Sequence, residues 1–251
     1  MSERILPPNQ EPRDWRAFYE ASDRSAKTAD RRLSRVFVND YAMHWSDSPH
    51  ATEMGELKSF SMLHQETLSL LGYFARRSQG AVLELGAYLG GATISIAKAL
   101  QQSGGGPQIT VEVGGAHPTH PDYPTDDILR DLKRNIKKFN VEPIVNLVEG
   151  WSDAPEVVAQ VERLLNGRKI DLLFIDSDGR TRRDMDIYGK FLSQDCIIVL
   201  DDFLVAVADA ADKEVGVRNW VAWATETGLV TDLGVHQWAT WVGQYNGRGD
   251  R

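Results

Sequence analysis

The stretch "IDLLFIDSDGRTRRDMDIYGKFLSQDCIIVLDDF", residues 170 to 203, holds two apolar runs that each end in acid. Leu172-Leu173-Phe174-Ile175 is closed by Asp176 and Asp178, and Ile197-Ile198-Val199-Leu200 by Asp201 and Asp202. Carboxylates repel one another and resist leaving water. Acids at the ends of two buried strands therefore either never meet or have something positive between them. If the strands are neighbours, Asp176, Asp201 and Asp202 share one rim. An oxygen-only donor set of that kind selects a hard cation such as Mg²⁺, Ca²⁺ or Mn²⁺. The other reading makes Asp201 or Asp202 a cap for the following segment.

A second constellation lies upstream. "ELGAYLGGAT" carries Glu84, Gly86, Gly90 and Thr93 through a strand-to-helix turn. Glycines let a backbone turn sharply and approach a ligand closely, and the helix that follows presents its first amides there. The spacing is Gly-x-x-x-Gly-Gly instead of the dinucleotide fingerprint Gly-x-Gly-x-x-Gly. Glu84 would repel a pyrophosphate but can hold an ammonium group. Glu112 closes the next apolar run and suits ribose hydroxyls. Three groups are candidate proton acceptors: Asp178, and His117 and His120 in the loop "GGAHPTHPDYPTDD". Each is also ordinary turn or loop chemistry. Arg180, Arg182 and Arg183 either hold an anionic substrate or face solvent, and solvent is the simpler expectation.

These residues need a frame. Runs such as "AVLELG", "QITVEV", "IVNLVE", "IDLLFID" and "CIIVLDD" are continuously apolar, and helical patterns separate them. Buried strands alternating with helices make a mostly parallel sheet covered on both faces. "LVTDLGVHQW" and "ATWVGQY" follow each other almost directly and must pair antiparallel. The expectation is an α/β fold: a Rossmann-like, doubly wound, seven-stranded sheet with an antiparallel terminal hairpin. Ligands in such sheets bind beyond the carboxyl ends of the strands. Residues 1–58 read as an N-terminal helical cap, lid or oligomerisation segment rich in aromatics, with "SDSPHATEMG" as a loop, and 59–251 as the main domain. The aromatics there, with Trp238 and Trp241 of the hairpin, predict a homodimer or larger closed assembly.

A net charge of -8 argues against nucleic acid as the main partner. A single cysteine, Cys196, excludes an internal disulfide and reads as a core thiol in a reducing compartment. No stretch is apolar enough to span a bilayer and the N-terminus is no secretory signal, so the cytoplasm is expected.

With these residues in order, Glu84-x-Gly86-x-x-x-Gly90, then Glu112, "FIDSD" and "VLDD", the chain resembles class I S-adenosylmethionine-dependent methyltransferases over about residues 60 to 245. It is most similar to metal-dependent O-methyltransferases of the catechol and natural-product sugar type. The resemblance implies that Gly86 with Ala87, Tyr88, Gly90 and Thr93 lines the methionine part of S-adenosyl-L-methionine. It implies that Glu112 binds the ribose, that Gly150, Trp151 and Ser152 flank the adenine, and that Asp176 closes the cofactor site. It also implies a divalent cation on Asp176, Asp201 and Asp202 that activates a hydroxyl of a small-molecule acceptor. One departure is Gly179, where such sugar methyltransferases often carry a histidine base. The alternatives are a metal-independent N- or C-methyltransferase whose acids bind an amine, and a non-catalytic cofactor-binding partner protein. A nicotinamide oxidoreductase ranks below these, because the turn lacks the dinucleotide spacing.

Overall fold

The computed structural model describes residues 51–203, 211–236 and 240–247. The expected N-terminal segment up to residue 50, and Trp238, lie outside them. Helices α1 (Ala51–Lys58) and α2 (Gln65–Arg77) lead into strand β1 (Ala81–Leu85). There follow α3 (Gly91–Ser103), β2 (Gln108–Glu112), α4 (Ile128–Lys138), β3 (Val145–Glu149), α5 (Pro155–Leu165) and β4 (Ile170–Ile175). The chain closes with α6 (Thr181–Tyr188), a short 3₁₀ turn, β5 (Leu192–Leu200), α7 (Ala211–Glu226), β6 (Val230–His236) and β7 (Thr240–Tyr245).

The seven strands form one sheet in the order β3-β2-β1-β4-β5-β7-β6. The first five run parallel, and β7 lies antiparallel to both β5 and β6. This is the expected Rossmann-like architecture. The strand order reverses between β1 and β4, which fixes where a crevice opens.

β1 and β2 are buried at every residue, which is why their sequences are continuous and not alternating. Successive side chains still enter different cores. Leu83 and Leu85 join the cluster built with α5, α6 and α7, while Val82 joins that of α2 and α3. Cys196 is buried among the first cluster, and burial pushes its thiol up, as a core thiol should be.

Helix α4 shows how local chemistry sets an element. Its N-cap Asp127 accepts the Arg130 amide at 2.9 Å, its last turn carries Lys137 and Lys138, and Leu132 and Ile136 form the buried stripe. A cap of this kind contributes about 1 kcal/mol.

Two expectations change. The described part of "SDSPHATEMG" is not loop: residues from Ala51 onward form α1. Leu57, fully buried with the α2 and α3 side chains, ties this turn-rich stretch down. Trp241 is not spare apolar surface either. It is buried against Trp220 at 6.1 Å between ring centres, with its indole N–H donated to Asp232.

Candidate active site at the carboxyl ends of the strands

A cleft of about 420 Å³ opens beyond the ends of β1 to β4. That volume suits a drug-sized ligand. Gly86 lies at its base, Glu112 to Gly114 and Gly150 to Ser152 form its walls, and Asp176 to Asp178 with Lys213 form its far end.

The glycine turn is needed where it stands. Gly86 has φ +87°, and a Cβ there would meet the Asp176 carbonyl oxygen at 1.9 Å. Gly90 caps α3 in the left-handed region, so the first amides of that helix follow the turn directly. Ala87 is buried, and Tyr88, itself at φ 50°, lines the cleft and donates its hydroxyl to the Tyr123 carbonyl.

Glu112 fastens this turn. One carboxylate oxygen accepts the amides of Ala87 and Tyr88, both at 2.8 Å, and the other accepts Gly114 N–H at 2.8 Å. A carboxylate has roughly four acceptor positions, so three amides leave room for a ligand hydroxyl. Beside it, Trp151 is exposed over 57 % of its surface at the cleft wall. An open indole face next to an acceptor carboxylate is a stacking platform for a flat ring.

Glu84 and Thr93 are not on the cleft, contrary to the sequence expectation. Glu84 is turned toward α3 and is fully buried. One of its oxygens takes the hydroxyls of Thr93 and Thr110, each at 2.8 Å, and the Gln108 amide at 3.3 Å. Burial pushes this carboxyl up to about 7, against the pull of those hydrogen bonds. The folded value exceeds the ordinary 4.5, so folding favours the protonated form. Its stability contribution is complete below about pH 4.5 and is lost as the pH rises through about 7, a loss of roughly 3 kcal/mol. Glu84→Gln is neutral at every pH. Its thermal midpoint should fall less than that of wild type between about pH 5 and about pH 8. Parallel curves for the two proteins would refute the burial argument.

The walls after β3 and β4 are joined by an ionic network. Arg183 donates to both oxygens of Asp178, at 2.8 and 3.1 Å, to Asp184 and to the Ser152 hydroxyl. Ser152 in turn donates to the fully buried Asp184 at 2.8 Å. So Arg183 does not face solvent as expected, while Arg180 and Arg182 do. Burial alone would raise the Asp178 carboxyl, but hydrogen bonds from Arg183 and the Arg180 amide hold it below its ordinary value. That is the wrong direction for a proton acceptor at neutral pH. Asp178 is the clamp of this network.

The two histidines separate. His117 lines the cleft and its backbone pairs with Thr125. His120 packs on Tyr88, His117 and Tyr123, and its Nδ1 accepts the amides of Asp122 and Tyr123. That ring is occupied by its own loop, by Tyr88 and, at Nε2, by the Met62 sulfur at 2.8 Å.

Asp176 lies at the junction of the glycine turn and the far end of the cleft. Burial first, then the charges of Asp201 and Asp202, push its carboxyl well above the ordinary range, and Lys213 opposes them. At Asp201, Oδ1 accepts the Thr240 hydroxyl at 2.7 Å. Asp202, at φ 58°, faces the Lys213 ammonium at 3.5 Å. Among the described residues no three acidic, histidine or cysteine side chains converge to hold an ion. The expected divalent-cation site at Asp176, Asp201 and Asp202 has the right chemistry, but its side chains as they stand do not fit one.

Lys213, Arg183, Asp184 and Met62 were not expected at this site. Nothing local in the sequence marks Lys213, which reaches the cleft from α7.

Residues 83–203 match the family model described as a methyltransferase domain. No curated protein matches the chain by sequence. Solved structures that share the fold at low identity include the following three. A Staphylococcus aureus protein assigned as a caffeoyl-CoA O-methyltransferase is 17 % identical, with a TM-score of 0.59, over 86 % of this chain and 100 % of that one. An O-methyltransferase from Bacillus cereus, in complex with S-adenosylhomocysteine, is 18 % identical with a TM-score of 0.58, over 88 % and 97 %. TomG, an O-methyltransferase of tomaymycin synthesis from Streptomyces achromogenes bound to S-adenosylmethionine, is 18 % identical with a TM-score of 0.56, over 80 % and 89 %.

Proposed function

We propose that this chain, whose residues 83–203 match a methyltransferase domain and whose sheet is Rossmann-like, transfers the methyl group of S-adenosylmethionine to an oxygen of a small hydroxylated molecule. One observation carries the reading: Glu112, bonded to the glycine turn, stands between Gly86 and the exposed indole of Trp151 in a single cleft. A turn open to a methionine chain, an acceptor for ribose and a platform for adenine follow one another in the order of the cofactor's parts. That several solved structures of this fold are described as O-methyltransferases supports oxygen as the acceptor atom, and the one from tomaymycin synthesis supports a natural-product acceptor.

In this reading Gly86 admits the methionine end and Glu112 accepts from the ribose. The sulfonium then lies toward Asp176, where negative charge favours a cation. The acceptor enters from the far end beside Asp176 and Lys213. Asp176 takes the acceptor's proton as the oxygen attacks the methyl carbon. The carbon–sulfur bond breaks with its electron pair on sulfur, leaving a neutral thioether. Holding both reactants in line supplies much of the rate. A divalent ion, as in the catechol-type enzymes the sequence resembles, would supply a Lewis acid on Asp176, Asp201 and Asp202. The arrangement of those carboxylates does not support it, so each step here uses the chain's own groups.

Calorimetry tests the assignment. S-Adenosylmethionine and S-adenosylhomocysteine should bind and raise the thermal midpoint, since a ligand selective for the folded state stabilises it. Tight binding of a nicotinamide cofactor with none of these would sink the reading.

A further inference from the structure

We propose that the Lys213 ammonium is the resident cation of the carboxylate rim, taking the place of a divalent ion beside the acceptor oxygen. The inference rests on the methyltransferase reading above and concerns the same cleft.

The first observation is a close approach. A Cβ on Gly179 would meet Lys213 Cα at 2.4 Å, and a Cβ on Gly216 would meet the Gly179 carbonyl oxygen at 2.1 Å. Two glycines, one after β4 and one in α7, thus let the first turns of α7 lie directly against the β4 loop. Any side chain at position 179 would push the helix away. The position that carries no base therefore has a structural use: it admits the backbone of Lys213.

The second observation is where this leaves the ammonium. Lys213 lines the cleft with Asp176, and its Nζ is 3.5 Å from Asp202. Arg183, which also lines the cleft, is held by Asp178 and Asp184. Asp201 leans on a hydroxyl of β7. The charge balance of this end thus falls to Lys213.

The third observation is the converse one. The charges of Asp176, Asp201 and Asp202 act on one another and would favour a doubly charged ion, but an ammonium beside them repels it. Lys213 offers N–H donors to the acceptor oxygen and stabilises the negative charge that grows as Asp176 removes the proton.

The test uses chelator-treated, full-length protein saturated with S-adenosylhomocysteine, titrated with Mn²⁺ and with Mg²⁺. Wild type should take up neither ion below the millimolar range. Lys213→Met keeps the stem but removes the repelling charge and releases Asp202, so Mn²⁺ affinity should rise on the order of tenfold or more. Lys213→Arg should behave as wild type. Micromolar uptake of Mn²⁺ by wild type overturns the proposal, and so does a Lys213→Met variant that binds no more ion than wild type. Binding of S-adenosylhomocysteine itself, measured in the same samples, reports separately on the methyltransferase reading.

Discussion

Glu112→Ala is expected to weaken S-adenosylhomocysteine binding about a hundredfold, roughly the loss of one or two charge-assisted hydrogen bonds. The geometry makes two contributions to that loss. The carboxylate holds the amides of Ala87, Tyr88 and Gly114, so its removal loosens the turn that shapes the methionine end. It also has acceptor capacity left for a ribose hydroxyl. The two can be separated. The thermal midpoint without ligand reports the loosened turn, and the further shift on adding S-adenosylhomocysteine reports the lost ribose contact. Glu112→Gln should not restore binding, because its amide N–H₂ would face backbone N–H donors on one side. An alanine variant that binds S-adenosylhomocysteine as wild type does would reduce Glu112 to a strap, and the cofactor would then lie elsewhere in the cleft.

Much of this was legible in the sequence, for physical reasons that can be named. Parallel strands covered on both faces are written as unbroken apolar runs, and "VLEL", "ITVE" and "DLLFI" are such runs. The carboxyl ends of those runs carry Gly86, Glu112 and Asp176, and all three reach one cleft. What the same pattern hides is the face. Because every residue of β1 is buried, nothing in the sequence tells Glu84 from a cleft residue. Only its partners Thr93, Gln108 and Thr110, on two other elements, turn it inward. Arg183 was misjudged for a related reason. The three arginines of Arg180-Thr181-Arg182-Arg183 after a strand read as solvated surface, yet the buried Asp184 beside them draws one guanidinium in. Lys213 was invisible because its position depends on an approach between Gly179 and Gly216, far apart in sequence and uninformative singly. Helix α1 was missed because its security comes from burying Leu57, a tertiary effect over a turn-rich stretch.

Asp176→Asn should produce the largest loss of turnover. Two effects meet at this side chain. As the proposed proton acceptor it would contribute about a hundredfold to ten-thousandfold. As the carboxylate at the junction of glycine turn and far end it also attracts the sulfonium. The two are coupled. Burial and the charges of Asp201 and Asp202 favour the protonated form in the empty cleft. A bound sulfonium favours the ionised form, so the cofactor's charge readies the base. S-Adenosylhomocysteine lacks that charge. The asparagine variant should therefore bind S-adenosylhomocysteine nearly as wild type does, yet lose affinity for S-adenosylmethionine and lose at least about a hundredfold in turnover. Turnover is read as methyl transfer from labelled S-adenosylmethionine to whichever hydroxylated acceptor the wild type accepts in a screen. Asp178→Asn makes the comparison, since Asp178 is tied to Arg183 and its loss should act on stability more than on the chemical step. If Asp176→Asn turns over as wild type and binds both cofactor forms equally, the carboxylate is a bystander and the proton leaves by another group, with His117 next in reach of the cleft.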